Sequence, residues 1–160
     1  MRWTIRSVAC LVVMLTSVRP AFADATVFIG ANTTPANRAV RGGAAGLSLV
    51  IVGFEFEFAN TTADPSAAAP SLTTVSGNGF LQTPIEIFHV QPYVTGGLGF
   101  FRETLEPRTQ MGLLSNTGGG AKISLAGPLR LRVDYRVFKL GSGALYSPAH
   151  RIYVGLNLKF

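Results

Sequence analysis

Residues 129–138 read LRLRVDYRVF, and this run constrains the fold more than any other part of the chain. Leu129, Leu131, Val133, Tyr135 and Val137 share one face, and Arg130, Arg132, Asp134 and Arg136 share the other. A strand sends successive side chains to opposite faces, so period two predicts a strand with one apolar and one charged side. The same pattern returns in FEFEFAN at 54–60, where Phe54, Phe56 and Phe58 oppose Glu55 and Glu57. It returns again in HRIYVGLNLKF at 150–160, where Ile152, Val154, Leu156, Leu158 and Phe160 oppose Arg151, Tyr153, Gly155, Asn157 and Lys159. Alternation alone leaves open which face is the inner one.

No long amphipathic helix is legible after residue 23. Short β-like runs punctuated by Gly, Pro, Asn and Thr predict eight strands, at 25–31, 43–51, 54–60, 72–81, 90–103, 117–125, 129–140 and 149–160. The connections after strands two, four and six read as short. Those after strands one, three, five and seven read as longer and polar. Long loops at one end and short turns at the other are the asymmetry of an up-and-down membrane barrel. Three further features agree. Several runs reach the about 9–11 residues a tilted strand needs to span a bilayer. Charged residues make up only 14% of the chain, against about 25% in an average globular protein. Aromatics near the expected strand ends (Tyr93, Phe100, Phe101, Phe138, Tyr153 and Phe160) read as interfacial girdles. The expected fold is therefore all-β, an eight-stranded antiparallel up-and-down transmembrane β-barrel with apolar faces outward and a polar lumen. The competing architecture is a soluble periplasmic lipid-binding barrel, with the same faces turned inside out.

The first 23 residues read as a secretory signal peptide. Arg2 and Arg6 form a basic start, residues 8–18 an apolar core, and AFA at 21–23 a cleavage box, so cleavage is expected after Ala23. The single cysteine, Cys10, lies inside that apolar core, leaving the expected exported portion, 24–160, without disulfides. The formal charge is +6. Setting aside Arg2, Arg6 and Arg19 from the 14 basic residues leaves 11 against 8 acidic ones. That balance is too mild and dispersed for a nucleic-acid-binding stripe.

The terminal YVGLNLKF, with Val154, Leu156, Leu158 and Phe160 in alternation, resembles the signal that ends bacterial outer-membrane barrels. PYVTGGLGFF at 92–101, GGGAKISL at 118–125 and LRLRVDYRVF at 129–138 are similar to the last strands of a known family. That family is the small eight-stranded barrels that include the membrane domain of outer-membrane protein A and the opacity-type surface proteins. The resemblance implies a bacterial outer-membrane location, outer-membrane lipid as surroundings and the barrel-assembly machinery as reader of the terminal signal. It implies no single activity, since members differ in what they do.

If the apolar faces meet lipid, Glu55, Glu57, Arg130, Arg132, Asp134 and Arg136 point into a lumen that side chains nearly fill. Charges there must pair, which predicts a carboxylate–guanidinium network that plugs the barrel. The expected role is structural or surface-interacting, with an extracellular ligand met through the loops, above all 60–71. A small pore or hydrophobic-solute channel of the same architecture is the alternative. Catalysis finds little support: His89 and His150 are the only histidines, and Ser147 stands three residues before His150 across Pro148. NTGGGAK at 116–122 lacks the spacing of a phosphate loop. No cysteine, histidine or carboxylate spacing suggests a metal site, and no cofactor is expected.

Overall fold

The structure, a computed structural model, describes residues 22–160. Eight strands follow one another: β1 (Phe22–Asn32), β2 (Arg38–Ser48), β3 (Val52–Thr61), β4 (Ser71–Gln82), β5 (Val90–Leu105), β6 (Arg108–Ala126), β7 (Leu129–Leu140) and β8 (Ala149–Lys159). Each is antiparallel to the next, and β8 returns to pair with β1, so the sheet closes into a barrel without free edges. The registers are regular apart from one bulge between Ser124 and Ala126 on β6. At the seam, the Ala23 amide donates to the Phe160 carbonyl at 2.8 Å and the Phe160 amide to the Ala23 carbonyl at 2.9 Å. The expected signal segment lies outside the described residues except for Phe22 and Ala23, and the expected cleavage point falls within β1.

The faces are sorted as in a membrane barrel. Phe54, Phe56, Val27 and Leu98 are about two-thirds to three-quarters exposed, whereas Glu55 is 3% and Arg136 0% exposed. Apolar side chains point out and charged ones point in, which overturns the soluble lipid-binding alternative. With no water to meet backbone groups in hydrocarbon, a closed sheet is one of the few structures that can present such a surface.

Three of the expected connection lengths need correction. The connection after β5 is not a long loop but a turn at 106–107, because β5 and β6 run on as one long hairpin. The connection after β4, expected to be short, spans 83–89, while that after β1 spans only 33–37. The strong asymmetry survives mainly in 62–70 and 141–148 at the loop end, against 49–51 and 127–128 at the end that holds the chain termini. A 3-10 turn, Pro65–Ala67, shapes the 62–70 loop.

Candidate functional site: the lumen

The inward residues of β7 are Arg130, Arg132, Asp134, Arg136, Phe138 and Leu140, running from the terminus end to the loop end. Those of β8 are Ala149, Arg151, Tyr153, Gly155 and Asn157, running the other way. The inward carboxylates of β3, Glu55 and Glu57, reach β7 and β8 across the barrel. Arg132 holds Glu55 through both Nη atoms, at 2.7 and 3.0 Å, and also meets Asp134 at 3.0 Å. Arg136 meets Glu55 at 2.6 Å, Glu57 at 3.1 Å and Asp134 at 3.0 Å. Arg151 closes on Glu57 at 3.2 Å.

Of the six charges predicted to share the lumen, Glu55, Glu57, Arg132, Asp134 and Arg136 lie in one cluster. Arg130 does not. It sits at the terminus-side rim, where it pairs with Glu86 at 3.2 Å and donates to Gln91 at 3.1 Å. The rim position follows from its place as the second residue of β7.

Several members of the cluster are not legible in the sequence pattern. Tyr93 and Tyr153 were expected in the outer girdles, yet both are buried inside. The Tyr93 hydroxyl accepts from Arg132 Nε at 2.7 Å and donates to the Asp134 carboxylate. The Tyr153 hydroxyl accepts from Arg136 at 3.2 Å and donates to Asp134 at 3.0 Å, while its ring stacks on Phe28 with centroids 4.1 Å apart. Phe101 and Phe138 also leave the girdles: with Leu72, Leu114, Leu140 and Ala149 they form a buried apolar cluster at the loop end of the lumen. Only Phe100 and Phe160 of the expected girdle aromatics face outward. Strand parity was the available signal for Tyr153, which alternates with Arg151 and Asn157. Asp24 and Lys122, paired at 3.1 Å near the terminus end, required the register to find.

The lumen is thus layered: an apolar cluster at the loop end, an ion-pair layer in the middle, and the Lys122–Asp24 pair with Asn157 at the other end. Above it, Arg38 donates to the Thr34 carbonyl at 2.8 Å and to the Pro70 carbonyl, tying two loops together. Glu103 accepts from the Leu145 amide at 2.8 Å, tying down a third. Buried pairs of this kind add little net stability over apolar packing but are costly to break, because the survivor is left as an unpaired buried ion.

The catalytic candidates are not joined. Ser147 Oγ is held by the Leu140 backbone, at 3.0 Å to its amide and 3.2 Å to its carbonyl. His150 lies on the outer wall with Nδ1 at 2.7 Å from the Tyr135 hydroxyl. His89 is exposed in the 83–89 turn. Among the described residues, no group of carboxylates, histidines or cysteines is placed to hold a metal ion.

Comparison with solved structures agrees with this geometry. The N-terminal β-barrel domain of Pseudomonas aeruginosa OprF superposes with a TM-score of 0.67 at 16% identity, over 87% of this chain and 97% of that one. The fold is that of the small eight-stranded outer-membrane barrels. Neisserial surface protein A is similar too, with a TM-score of 0.63 at 15% identity, over 88% of this chain and 96% of that one. So is the outer membrane enzyme PagL, with a TM-score of 0.53 at 10% identity, over 84% and 98%. The same barrel therefore serves an enzyme as well as a surface protein, and the scaffold alone does not choose between them. No family model and no curated protein sequence matches the chain.

Proposed function

We propose that this chain is a bacterial outer-membrane protein with a structural or surface-interacting role, its lumen closed to solute flow by the charged network. The observation that carries the reading is the continuous chain of ion pairs from β3 to β7 and β8, whose members are each at most 1% exposed in their side chains. An eight-stranded interior is just wide enough for side chains to fill, and here the filling is both charged and aromatic. The apolar cluster at the loop end supports the same reading. The fold shared with outer-membrane barrels supports the location.

The outward row of Val154, Leu156 and Leu158 on β8, with Phe160 just beyond it, is the surface that the barrel-assembly machinery would read. The loops at 62–70 and 141–148 are the segments offered to an extracellular ligand. Planar-bilayer recording of the refolded protein tests the closed lumen. The expected record is flat at moderate voltage. Sustained, unitary current steps would establish the small-pore alternative instead.

A further inference from the structure

The barrel proper has no free edge, but the hairpin that rises from it has one. β5 and β6, 16 and 19 residues long, outrun β7, which has 12. β5 is flanked by β4 as far as the Ser71–Thr104 pair, so its outer edge is covered almost to the turn. β6 first meets β7 at the Leu114–Leu140 pair, so on that side residues 108–113 lie beyond the last partner. The Leu113 carbonyl still accepts from the Gly141 amide at 2.9 Å, and above it the chain leaves the edge. It turns inward, where the Leu145 amide donates to the buried Glu103 at 2.8 Å.

Strand parity decides which backbone groups the gap exposes. In an antiparallel strand the N–H and C=O of one residue point to the same side, and successive residues alternate. Leu113 bonds away from β5, so Met111 and Thr109 point their amides and carbonyls the same way, while Gln110 and Gly112 point theirs to β5. Among the described residues, no backbone group pairs with Thr109 or Met111 on the open side, and the Met111 carbonyl has only a 3.4 Å contact from the Gln110 side chain. Unpaired backbone groups are not tolerated in hydrocarbon, so this stretch stands in water above the bilayer. An open edge of this kind is a template for another strand. Its surroundings are cationic. Arg102 is the cross-strand partner of Met111 on β5, and Lys139 is the last outward residue of β7, at the foot of the gap. Both are exposed, and among the described residues neither lies within ion-pair reach of a carboxylate. Glu106, in the turn itself, is the one exposed acid of the hairpin.

We propose that the β6 edge at 109–113 binds an extended acidic segment of another protein as an added antiparallel strand. The proposal deepens the surface-interacting role and rests on it. Strand addition draws its affinity from main-chain bonds and its specificity from alternate side chains. Thr109 and Met111 each offer one donor and one acceptor. The added strand continues the line of β7 beyond Leu140, with its outward side chains over Met111 and beside Lys139. Arg102 stands two strand spacings from that line, about 10 Å, within reach of a glutamate laid across Met111. A basic segment would meet Arg102 and Lys139 as like charges, which suppresses the wrong partner.

The test is amide NMR of the full protein in nanodiscs, titrated with a short peptide of alternating glutamate and valine and, separately, with its lysine counterpart. The glutamate peptide should slow hydrogen exchange at Thr109 and Met111 about tenfold or more. It should leave Gln110 and Gly112, already bonded to β5, unchanged. The lysine peptide should bind about tenfold more weakly, and Arg102→Gln combined with Lys139→Gln should weaken the glutamate peptide by about as much. Met111→Pro removes one edge N–H without touching the β5 ladder, a place where a strand tolerates proline, and should abolish the protection at Thr109. Heat-modifiable gel mobility shows that each variant has folded. Protection that is absent at Thr109 and Met111, that spreads equally to Gln110 and Gly112, or that survives Met111→Pro overturns the edge site. Equal binding of the two peptides overturns the acidic partner. Shifts confined to the 62–70 loop would overturn the site and leave the surface-interacting role standing. An epitope tag in the 106–107 turn that antibody cannot reach on intact cells would overturn that role, and the site with it.

Discussion

Replacing Arg132 with Met should lower the unfolding free energy by about 3 kcal/mol. The side chain is 1% exposed and serves three groups at once: Glu55 through two bonds, Asp134 through one, and the Tyr93 hydroxyl through Nε. Deleting one partner of a buried ion pair costs about 3–5 kcal/mol. The lower end applies here, because Glu55 keeps Arg136 at 2.6 Å and Asp134 keeps Arg136 at 3.0 Å. With a urea dependence of about 1–3 kcal/mol per molar, the midpoint should fall by about 1–3 M. The chain's one tryptophan, Trp3, precedes β1, so unfolding from lipid vesicles is best followed by circular dichroism and by gel mobility. Combining Arg132→Met with Glu55→Gln removes both ends of the strongest contact, and the double variant should lose less than the two single losses together, by about 1 kcal/mol or more. A single variant within about 0.5 kcal/mol of wild type (the usual range for surface changes), or strict additivity in the double, would refute the reasoning that the lumen is held by mutual pairing.

Tyr93→Phe should cost about 1–3 kcal/mol, because it strips Asp134 and Arg132 of a buried hydroxyl they share; urea midpoints in the same vesicles measure it. Gly155→Val should abolish the heat-modifiable band or weaken it severely. A Cβ at Gly155 would stand 2.6 Å from the Val27 carbonyl and 2.8 Å from Phe28 Cβ, forcing apart the seam between β1 and β8. Asp64 reports on pH. Its carboxylate accepts from Ser66 Oγ at 2.6 Å and from the Ser66 and Ala67 amides at 3.1 and 3.4 Å. The Ser66 hydroxyl bond, followed by these amides, holds the carboxyl below its ordinary value. Order in the 62–70 loop should therefore be complete above the ordinary aspartate range and be lost as pH falls through the depressed value. Amide NMR signals of Ser66 and Ala67 during acid titration would show it, and signals that disperse equally at all pH values would speak against the cap.

Barrel and strand number were legible because alternation is a local property that survives without any knowledge of partners. β7 was bounded correctly at Leu129–Leu140, where every inward residue but the last two is charged. β2 was displaced, expected at 43–51 but found at Arg38–Ser48, because Gly42, Gly43, Ala44, Ala45 and Gly46 carry too little side chain to show a period. β6 was begun nine residues late, at 117 instead of Arg108, for a similar reason: Gln110, Gly112 and Leu114 share the inward face and do not read as one. The aromatic errors had a different origin. Tyr93, Phe101, Phe138 and Tyr153 stand at girdle height along their strands, but parity decides inside from outside, and it turns all four inward. Lys122 and Asp24 lie 98 positions apart, and no pattern within one strand reveals a contact made across a lumen.

The ion pairs that join two different strands never join neighbours in the sheet. Glu55 and Glu57 on β3 are matched by β7 and β8, and Asp24 on β1 by Lys122 on β6. A sheet that grows one strand at a time therefore gains none of this electrostatic attraction until the far strands swing opposite one another. Until then those charges lack their cross-lumen partners, and closing the barrel without them would bury unpaired ions. The spokes of the wheel make assembly all-or-none, and they make a slipped register announce itself as an orphaned charge.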